Sequence, residues 1–256
     1  MVRPALAAAA LTLSLTLGLN GAARAEDAAP RPPHQHWSFD GVFGTYDRAA
    51  LQRGFQIYKE VCSACHAVKH LFYRDLADIG YSEEQVKGIA AQYQVNDGPN
   101  DQGQMFQRPA RGSDPFAAPF PNDQAARFAN NGALPSDLSL ITKAREHGPD
   151  YVYALLTGFK DPPAAFKMNA NMSYNTMFPG HQIAMPPPLS EGQVTYADGT
   201  KATVAQMSHD VVTFLSWAAE PTLEERHRTG FKVMLFLIVA VGVLYAAKRK
   251  VWAALH

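Results

Sequence analysis

Both cysteines of this 256-residue chain fall within one pentapeptide, Cys62-Ser63-Ala64-Cys65-His66. Two thiols one helical turn apart are spaced to add across the two vinyl groups of a haem, and the histidine that follows sets an imidazole beside the iron. In that arrangement the sulfurs hold the porphyrin and His66 supplies one axial nitrogen. The competing readings each lack a part. A structural zinc site needs four ligands and no second cysteine pair exists. A thioredoxin-like redox pair needs a βαβ context, and the flanks here carry helical periodicity. A plain disulfide in an oxidising compartment is the remaining alternative. The motif therefore predicts one covalent haem c, with both thiols consumed by it.

A second axial ligand must come from elsewhere. The candidates are Met105, Met168, Met172, Met177, Met185 and Met207, with His147, His181 and His209. Met185 stands out because Met185-Pro186-Pro187-Pro188 joins a soft sulfur donor to a stiff extended backbone. Met207 falls on the apolar face of a helix pattern and reads as core. Met168, Met172 and Met177 precede the Phe178-Pro179-Gly180 turn and stay in contention. His181 would give a lower potential, since Met/His ligation raises it. With both axial positions filled by protein, the expected activity is one-electron transfer, not oxygen or peroxide chemistry.

The two ends set the compartment. Met1-Val2-Arg3, an apolar stretch from Pro4 to Leu19 and Ala23-Arg24-Ala25 have the layout of a secretory signal peptide, predicting cleavage after Ala25. At the other end Val233 to Ala247 carries no charge. The residues from Thr229 to Ala247 would reach roughly 28 Å as a helix, close to a hydrocarbon core. Lys248, Arg249 and Lys250 follow, with Trp252 beside them, which predicts a cytoplasmic C-terminus. The expected organisation is a signal peptide over 1–25, a periplasmic haem domain over 26–222, and a transmembrane anchor with a short tail over 223–256.

Overall charge is balanced, and no run of basic residues interleaved with aromatics occurs, so nucleic-acid binding has no support. Between Glu26 and Arg228, however, 17 basic residues face 23 acidic ones, about −6 net. Such a field favours a basic protein partner. No G-x-S-x-G element and no Gly-rich phosphate loop appears, which leaves hydrolytic and nucleotide chemistry without a cue.

Within the exported part, Asp47 should cap a helix through Leu51, Phe55, Tyr58 and Val61. Ser82-Glu83-Glu84-Gln85 is a capping box opening a second helix toward Tyr93. Gln94 to Pro135 holds six prolines and four glycines and reads as an ordered loop in which Phe106, Phe116, Phe120 and Phe128 find packing partners. Helices are expected over Leu138–His147, ended by Gly148, and over Asp150–Thr157, ended by Gly158. A small hairpin is expected at Thr195–Thr200. An amphipathic helix should run from Thr203 to Ala219 and close at Pro221.

Taken together, these segments resemble the cytochrome c1 family, haem subunits of cytochrome bc1 complexes, in its bacterial form. The similarity is carried by Trp37-Ser-Phe-Asp-Gly41, by Arg53-Gly54 through Tyr58 to His66, and by Ala125-Ala-Arg127-Phe-Ala-Asn-Asn-Gly132. It extends through Leu134-Pro-Ser-Asp-Leu-Ser139, Asp150-Tyr-Val152 to Gly158, Phe178-Pro-Gly180, Met185-Pro-Pro187 and Trp217-Ala-Ala-Glu-Pro221. The resemblance implies a mainly α, class I cytochrome c-like haem domain with long insertions plus one C-terminal transmembrane helix. In that fold the first helix, near Gly54 and Tyr58, crosses the last soluble helix near Phe214 and Trp217. It implies His66 and Met185 as axial ligands, Cys62 and Cys65 as attachment points, and Arg127 beside a haem propionate. It implies cytochrome b and a Rieske iron–sulfur protein as partners, a cytochrome c as electron acceptor, and residence in a bacterial inner membrane. The alternative function is a stand-alone membrane-anchored cytochrome c. Some bacterial relatives carry an extra cysteine pair before the methionine ligand; this chain has none, so packing and prolines must restrain that loop.

Overall fold

The computed structural model of the protein describes residues 30–253; the signal peptide expected over 1–25 lies outside the described residues. Helices dominate. In chain order they are α1 (Arg48–Glu60), α2 (Glu83–Ala90), α3 (Asp123–Ala129), α4 (Ile141–Ala144), α5 (Gly148–Thr157), α6 (Val204–Ala219) and α7 (Leu223–Trp252). Two short antiparallel ribbons interrupt them. β1 (Gln94–Asp97) pairs with β2 (Phe106–Pro109), and β3 (Ser173–Tyr174) pairs with β4 (Gln182–Ile183).

The crossing of α1 and α6 organises the core. Asp47 starts α1 by accepting from the amides of Ala49 at 2.9 Å and Ala50 at 3.2 Å, satisfying two of the orphan donors of a helix start. The crossing is close because residue 54 is glycine: a Cβ there would sit 2.0 Å from the Asp210 carbonyl oxygen and 2.8 Å from Phe214 Cβ. Around that contact Phe55 and Tyr58 pack on Phe214, each with ring centroids 5.7 Å apart, and Trp217 is fully buried. Burial of aromatic side chains of this size contributes about 2–3 kcal/mol apiece. The expected α1–α6 crossing is therefore present.

Charge is buried at the same crossing. Arg53 donates from Nε to Asp210 Oδ2 at 2.9 Å and from Nη2 to Oδ1 at 3.0 Å, and from Nη1 to Asp198 at 2.8 Å. Asp210 is wholly buried, and Gln206 Nε2 adds donors at 3.1 Å. A buried carboxylate with a forked guanidinium and an amide on it fixes the helix register, because removing any partner strands a charge.

Several sequence expectations are corrected. α6 is not half-exposed: apart from His209, residues 207–219 are buried on all sides, since α1, α4 and α5 all lie against it. Two of its hydroxyls bond back along the helix, Thr213 to His209 O at 2.9 Å and Ser216 to Val212 O at 2.8 Å, while the buried Ser208 hydroxyl has no partner among the described residues. The helix expected over Leu138–His147 shrinks to one turn, α4. His147 takes a left-handed φ of 61° and Gly148 opens α5 instead of ending a helix, because Pro149 suits a first turn. At Thr195–Thr200 a turn forms, with Gly199 N–H on Tyr196 O at 3.2 Å, but no strands flank it. Asp198 is instead tied to Arg53, which draws that loop onto α1.

The Gln94–Pro135 stretch is ordered and contains the β1–β2 ribbon. Of its four phenylalanines Phe116 is buried, Phe120 is half-buried, and Phe106 and Phe128 are exposed. α3 buries Ala126, and two residues along a helix turn the side chain about 200°, so Phe128 points outward at 93% exposure.

α7 follows α6 after a three-residue break and runs for 30 residues, about 45 Å. It is long and apolar enough to cross a membrane, an 18-residue stretch of it having a mean hydropathy of 2.2, and of its side chains only Leu223 is buried. Its first two turns are fastened to the segment before α1. Glu224 accepts from the Tyr46 amide and from Arg48 Nη2, both at 2.9 Å. His227 Nδ1 lies 3.1 Å from Gly44 O, and Phe43 meets Phe231 edge-on at 6.0 Å.

Candidate haem-binding site

The end of α1 delivers the Cys-His pentapeptide. Val61 ends the helix, and residues 62–64 tighten into a 3-10 turn in which the Cys62 carbonyl accepts from the amides of Cys65 at 3.1 Å and His66 at 2.9 Å. One carbonyl thus gathers both thiols and the imidazole on a single turn. The two cysteines are unpaired. Burial pushes the Cys62 thiol up to about 12, with Cys65 beside it adding to the effect. Redox-active Cys-x-x-Cys pairs work through a lowered thiol pKa, so the shift here runs against that chemistry. Among the described residues no three His, Cys, Asp or Glu side chains converge to complete a zinc ligand set around them.

His66 is oriented by a segment that sequence reading left without a role. Its Nδ1 lies 2.6 Å from the Ser136 carbonyl, so Nδ1 carries the proton and donates, and the Nε2 lone pair is left for a metal. Burial lowers the His66 pKa, which keeps the ring neutral. The Ser136 carbonyl is held in place by a zipper alongside residues 67–70. Leu138 N–H donates to Ala67 O at 2.8 Å, Lys69 N–H to Asp137 at 3.1 Å, and His70 N–H to Ser139 Oγ at 3.1 Å. Asp137 also accepts from Ser139 N–H at 2.9 Å, closing an Asx turn. Behind the ring, Tyr58 donates to the His66 carbonyl at 3.2 Å. Ser136 acts through its carbonyl, which every residue has, so its residue type carries no signal of the clamp.

The donor set fits a c-type haem. Two free thiols share one turn with a neutral imidazole whose far nitrogen is unengaged among the described residues. Exposed apolar side chains accompany the clamp segment: Phe128, Leu134 and Leu140.

The other expected site residues lie apart. Met185 is half-buried and follows β4 by two residues. No hydrogen bond among the described residues joins it to the Cys-His turn. Its loop is restrained from before and after. Asn175, fully buried, donates from Nδ2 to Leu155 O at 2.8 Å and accepts from the amides of Met177 at 2.9 Å and Phe178 at 3.2 Å. Its own amide bonds to His181 O at 3.0 Å, and the β3–β4 ribbon closes around it. Of the rival ligands, Met207 is wholly buried core, Met177 is buried, and His209 stacks on Trp37 at 4.7 Å. Arg127 is exposed on α3 and spends Nη1 on the Gly132 carbonyl at 3.1 Å.

Comparison with known proteins adds independent findings. A family profile described as Cytochrome C1 family matches residues 37–255. A protein named "Cytochrome b/c1" from Bradyrhizobium diazoefficiens is 51% identical over 95% of this chain, which spans only 39% of that longer protein. "Cytochrome c1" of Rhodospirillum rubrum is 44% identical, covering 98% of this chain and 97% of its own length. "Cytochrome c1 1, heme protein, mitochondrial" of Arabidopsis thaliana is 50% identical over 87% of this chain and 73% of its own.

Proposed function

We propose that this chain, which belongs to the cytochrome c1 family, relays single electrons within a quinol–cytochrome c oxidoreductase, from a Rieske iron–sulfur protein to a cytochrome c. Its cofactor is one haem c, which supplies a one-electron ferric/ferrous couple. The observation that carries the reading is the turn at Cys62–His66, with His66 Nδ1–H committed to the Ser136 carbonyl. Cys62 and Cys65 are the thioether attachment points. His66 would hold the haem iron through Nε2, and its Nδ1–H bond to Ser136 orients the ring and raises its donor strength. Met185, held by three consecutive prolines on one side and the Asn175 hub on the other, would offer its thioether to the same iron. Arg127 keeps guanidinium donors beyond the one given to Gly132, enough to meet a propionate.

The chain's own residues then set the potential without making or breaking bonds. A Met/His pair favours the reduced state relative to His/His. Residues 1–25 act as an export leader, 26–222 as the haem domain on the periplasmic side, and 223–256 as the anchor in a bacterial inner membrane, with Lys248, Arg249 and Lys250 on the cytoplasmic side. The Bradyrhizobium relative, whose name joins b and c1, supports cytochrome b as the neighbour of the anchor.

The direct test is Met185→Leu in the haem-loaded chain. Covalent haem should be retained while the reduction potential falls, by on the order of 0.1 V or more within the ~0.8 V that axial ligands span. Carbon monoxide should now bind the reduced protein. An unchanged potential with an unchanged near-infrared sulfur-to-iron band would remove Met185 from the site. Mild detergent extraction should also bring cytochrome b and an iron–sulfur protein along; isolation alone would favour the stand-alone carrier.

A further inference from the structure

The root of α7 carries a feature that electron transfer does not use. Arg228 and Lys232 are one turn apart on the helix, both are exposed, and neither has a carboxylate within ion-pair distance among the described residues. They line a shallow groove of about 300 Å³ together with Phe43, Glu224, His227 and Phe231. Unlike the other charges of the groove, these two are uncommitted. Glu224 has one oxygen on Arg48 and the other on the Tyr46 amide, and His227 Nδ1 faces Gly44 O. The aromatic wall is unusually open: Phe43 is 77% and Phe231 55% exposed, although they touch each other.

We propose that this groove binds one anionic glycerophospholipid, its phosphate on Arg228 and Lys232 and the upper part of an acyl chain along Phe43 and Phe231. The inference rests on the reading of α7 as a membrane span. Under that reading Lys232 immediately precedes the uncharged run Val233–Ala247, so the groove lies at head-group depth on the side of the haem domain. A guanidinium and an ammonium at that depth attract phosphate, and exposed aromatics beside them offset the burial of methylenes. The groove volume suits one head group and a few methylenes, and is too small for a docking helix, which is about 10 Å across. Charge complementarity thus favours a lipid over a protein occupant.

The test uses the full haem-loaded chain, stripped of lipid in detergent and offered dioleoylphosphatidylglycerol against dioleoylphosphatidylcholine, with retained lipids counted by native mass spectrometry. The variants are Arg228→Gln/Lys232→Gln, Lys232→Gln alone, Phe43→Ser, and Lys248→Gln/Arg249→Gln/Lys250→Gln at the opposite end of α7. The double variant should lose one phosphatidylglycerol, its preference for the anionic lipid falling by about thirty-fold, since each basic residue near the surface is worth about five- to sixfold. Lys232→Gln should lose part of that preference, Phe43→Ser should weaken retention of both lipids, and the triple variant should keep this lipid. All four variants change only exposed residues, and an unchanged visible spectrum verifies the fold. Wild-type retention by the double variant, or equal binding of the two lipids, overturns the proposal. So does a polypeptide, not a lipid, lost on Phe43→Ser. Alkaline carbonate separates the premises: release of the wild-type chain from membranes overturns the anchor and the groove together, whereas firm retention with no anionic preference overturns the groove alone.

Discussion

Gly54→Ala is the sharpest test of the α1–α6 crossing, because two opposing effects have calculable sizes. On propensity alone, alanine in a helix interior is favoured over glycine by about 1 kcal/mol. At residue 54 the added methyl would lie 2.0 Å from the Asp210 carbonyl oxygen, 2.7 Å from its carbonyl carbon and 2.8 Å from Phe214 Cβ. These are main-chain and Cβ atoms of α6, so no rotamer change relieves the overlap, and the helices must part by an ångström or more. Overpacking of this kind costs about 1–3 kcal/mol, and more when the backbone has to move. Separation also strains the Arg53–Asp210 fork, whose partner charge is wholly buried. The net expectation is a loss of about 1–2 kcal/mol from overpacking less propensity, and more to the extent that the fork is strained. Gly88, exposed in α2 with nothing within 4 Å of an added methyl, provides the control, and Gly88→Ala should gain about 0.5–1 kcal/mol. The assay is guanidinium unfolding of the haem-loaded chain in detergent, comparing midpoints at constant m. If Gly54→Ala matches wild type or gains like Gly88→Ala, close helix approach is not what glycine provides there.

Asn175→Leu keeps the side-chain volume but strands the Met177 and Phe178 amides and the Leu155 carbonyl. At about 1–3 kcal/mol per unsatisfied buried group, stability should fall by about 3 kcal/mol or more, and limited proteolysis should find new cuts between residues 175 and 188. Arg108 holds Asp114 down to about 2, from an ordinary value of 3.8, by donating to both carboxylate oxygens. A depressed carboxylate contributes stability that is full above its ordinary value and lost as pH falls through its folded value. Arg108→Gln should therefore move Asp114 back toward 3.8 in a carboxyl NMR titration and shift the onset of acid loosening of the β1–β2 ribbon to higher pH. An unmoved titration would show that the fork is not formed in solution. Trp37→Phe removes the 2.7 Å bond from Nε1 to Asp150 and should free the segment around residues 34–37, read as faster amide exchange at Gln35, whose N–H bonds the same carboxylate.

What the sequence revealed, and what it hid, follows from the kind of signal each element carries. The cap at Asp47, the capping box at Ser82 and Gln85, and the stop at Gly158 are local side-chain chemistry and were legible. So was the pentapeptide, where the reactive atoms are adjacent in the chain. The burial of α6 on all sides was not legible, because Asp210, Thr213 and Ser216 look solvent-facing until their hydrogen bonds along and across helices are seen. The Ser136 clamp on His66 was invisible for a different reason: a main-chain carbonyl leaves no mark on residue identity. Asn175 likewise reads as an ordinary loop residue, yet it organises a loop whose restraint the sequence left to packing and the prolines.

The fastening of α7 to residues 43–48 governs how an electron could leave this molecule. A globule hung on a slack tether would sweep a hemisphere and meet donors and acceptors by its own diffusion. Here Tyr46, Arg48 and Gly44 grip α7 within its first two turns, so on the proposed reading of α7 as a membrane span the head would keep one tilt and one height above the bilayer. On that proposed reading, travel would be left to whatever carries charge toward it or away from it, and tunnelling distances to a neighbour fixed in the same membrane would stay constant between turnovers.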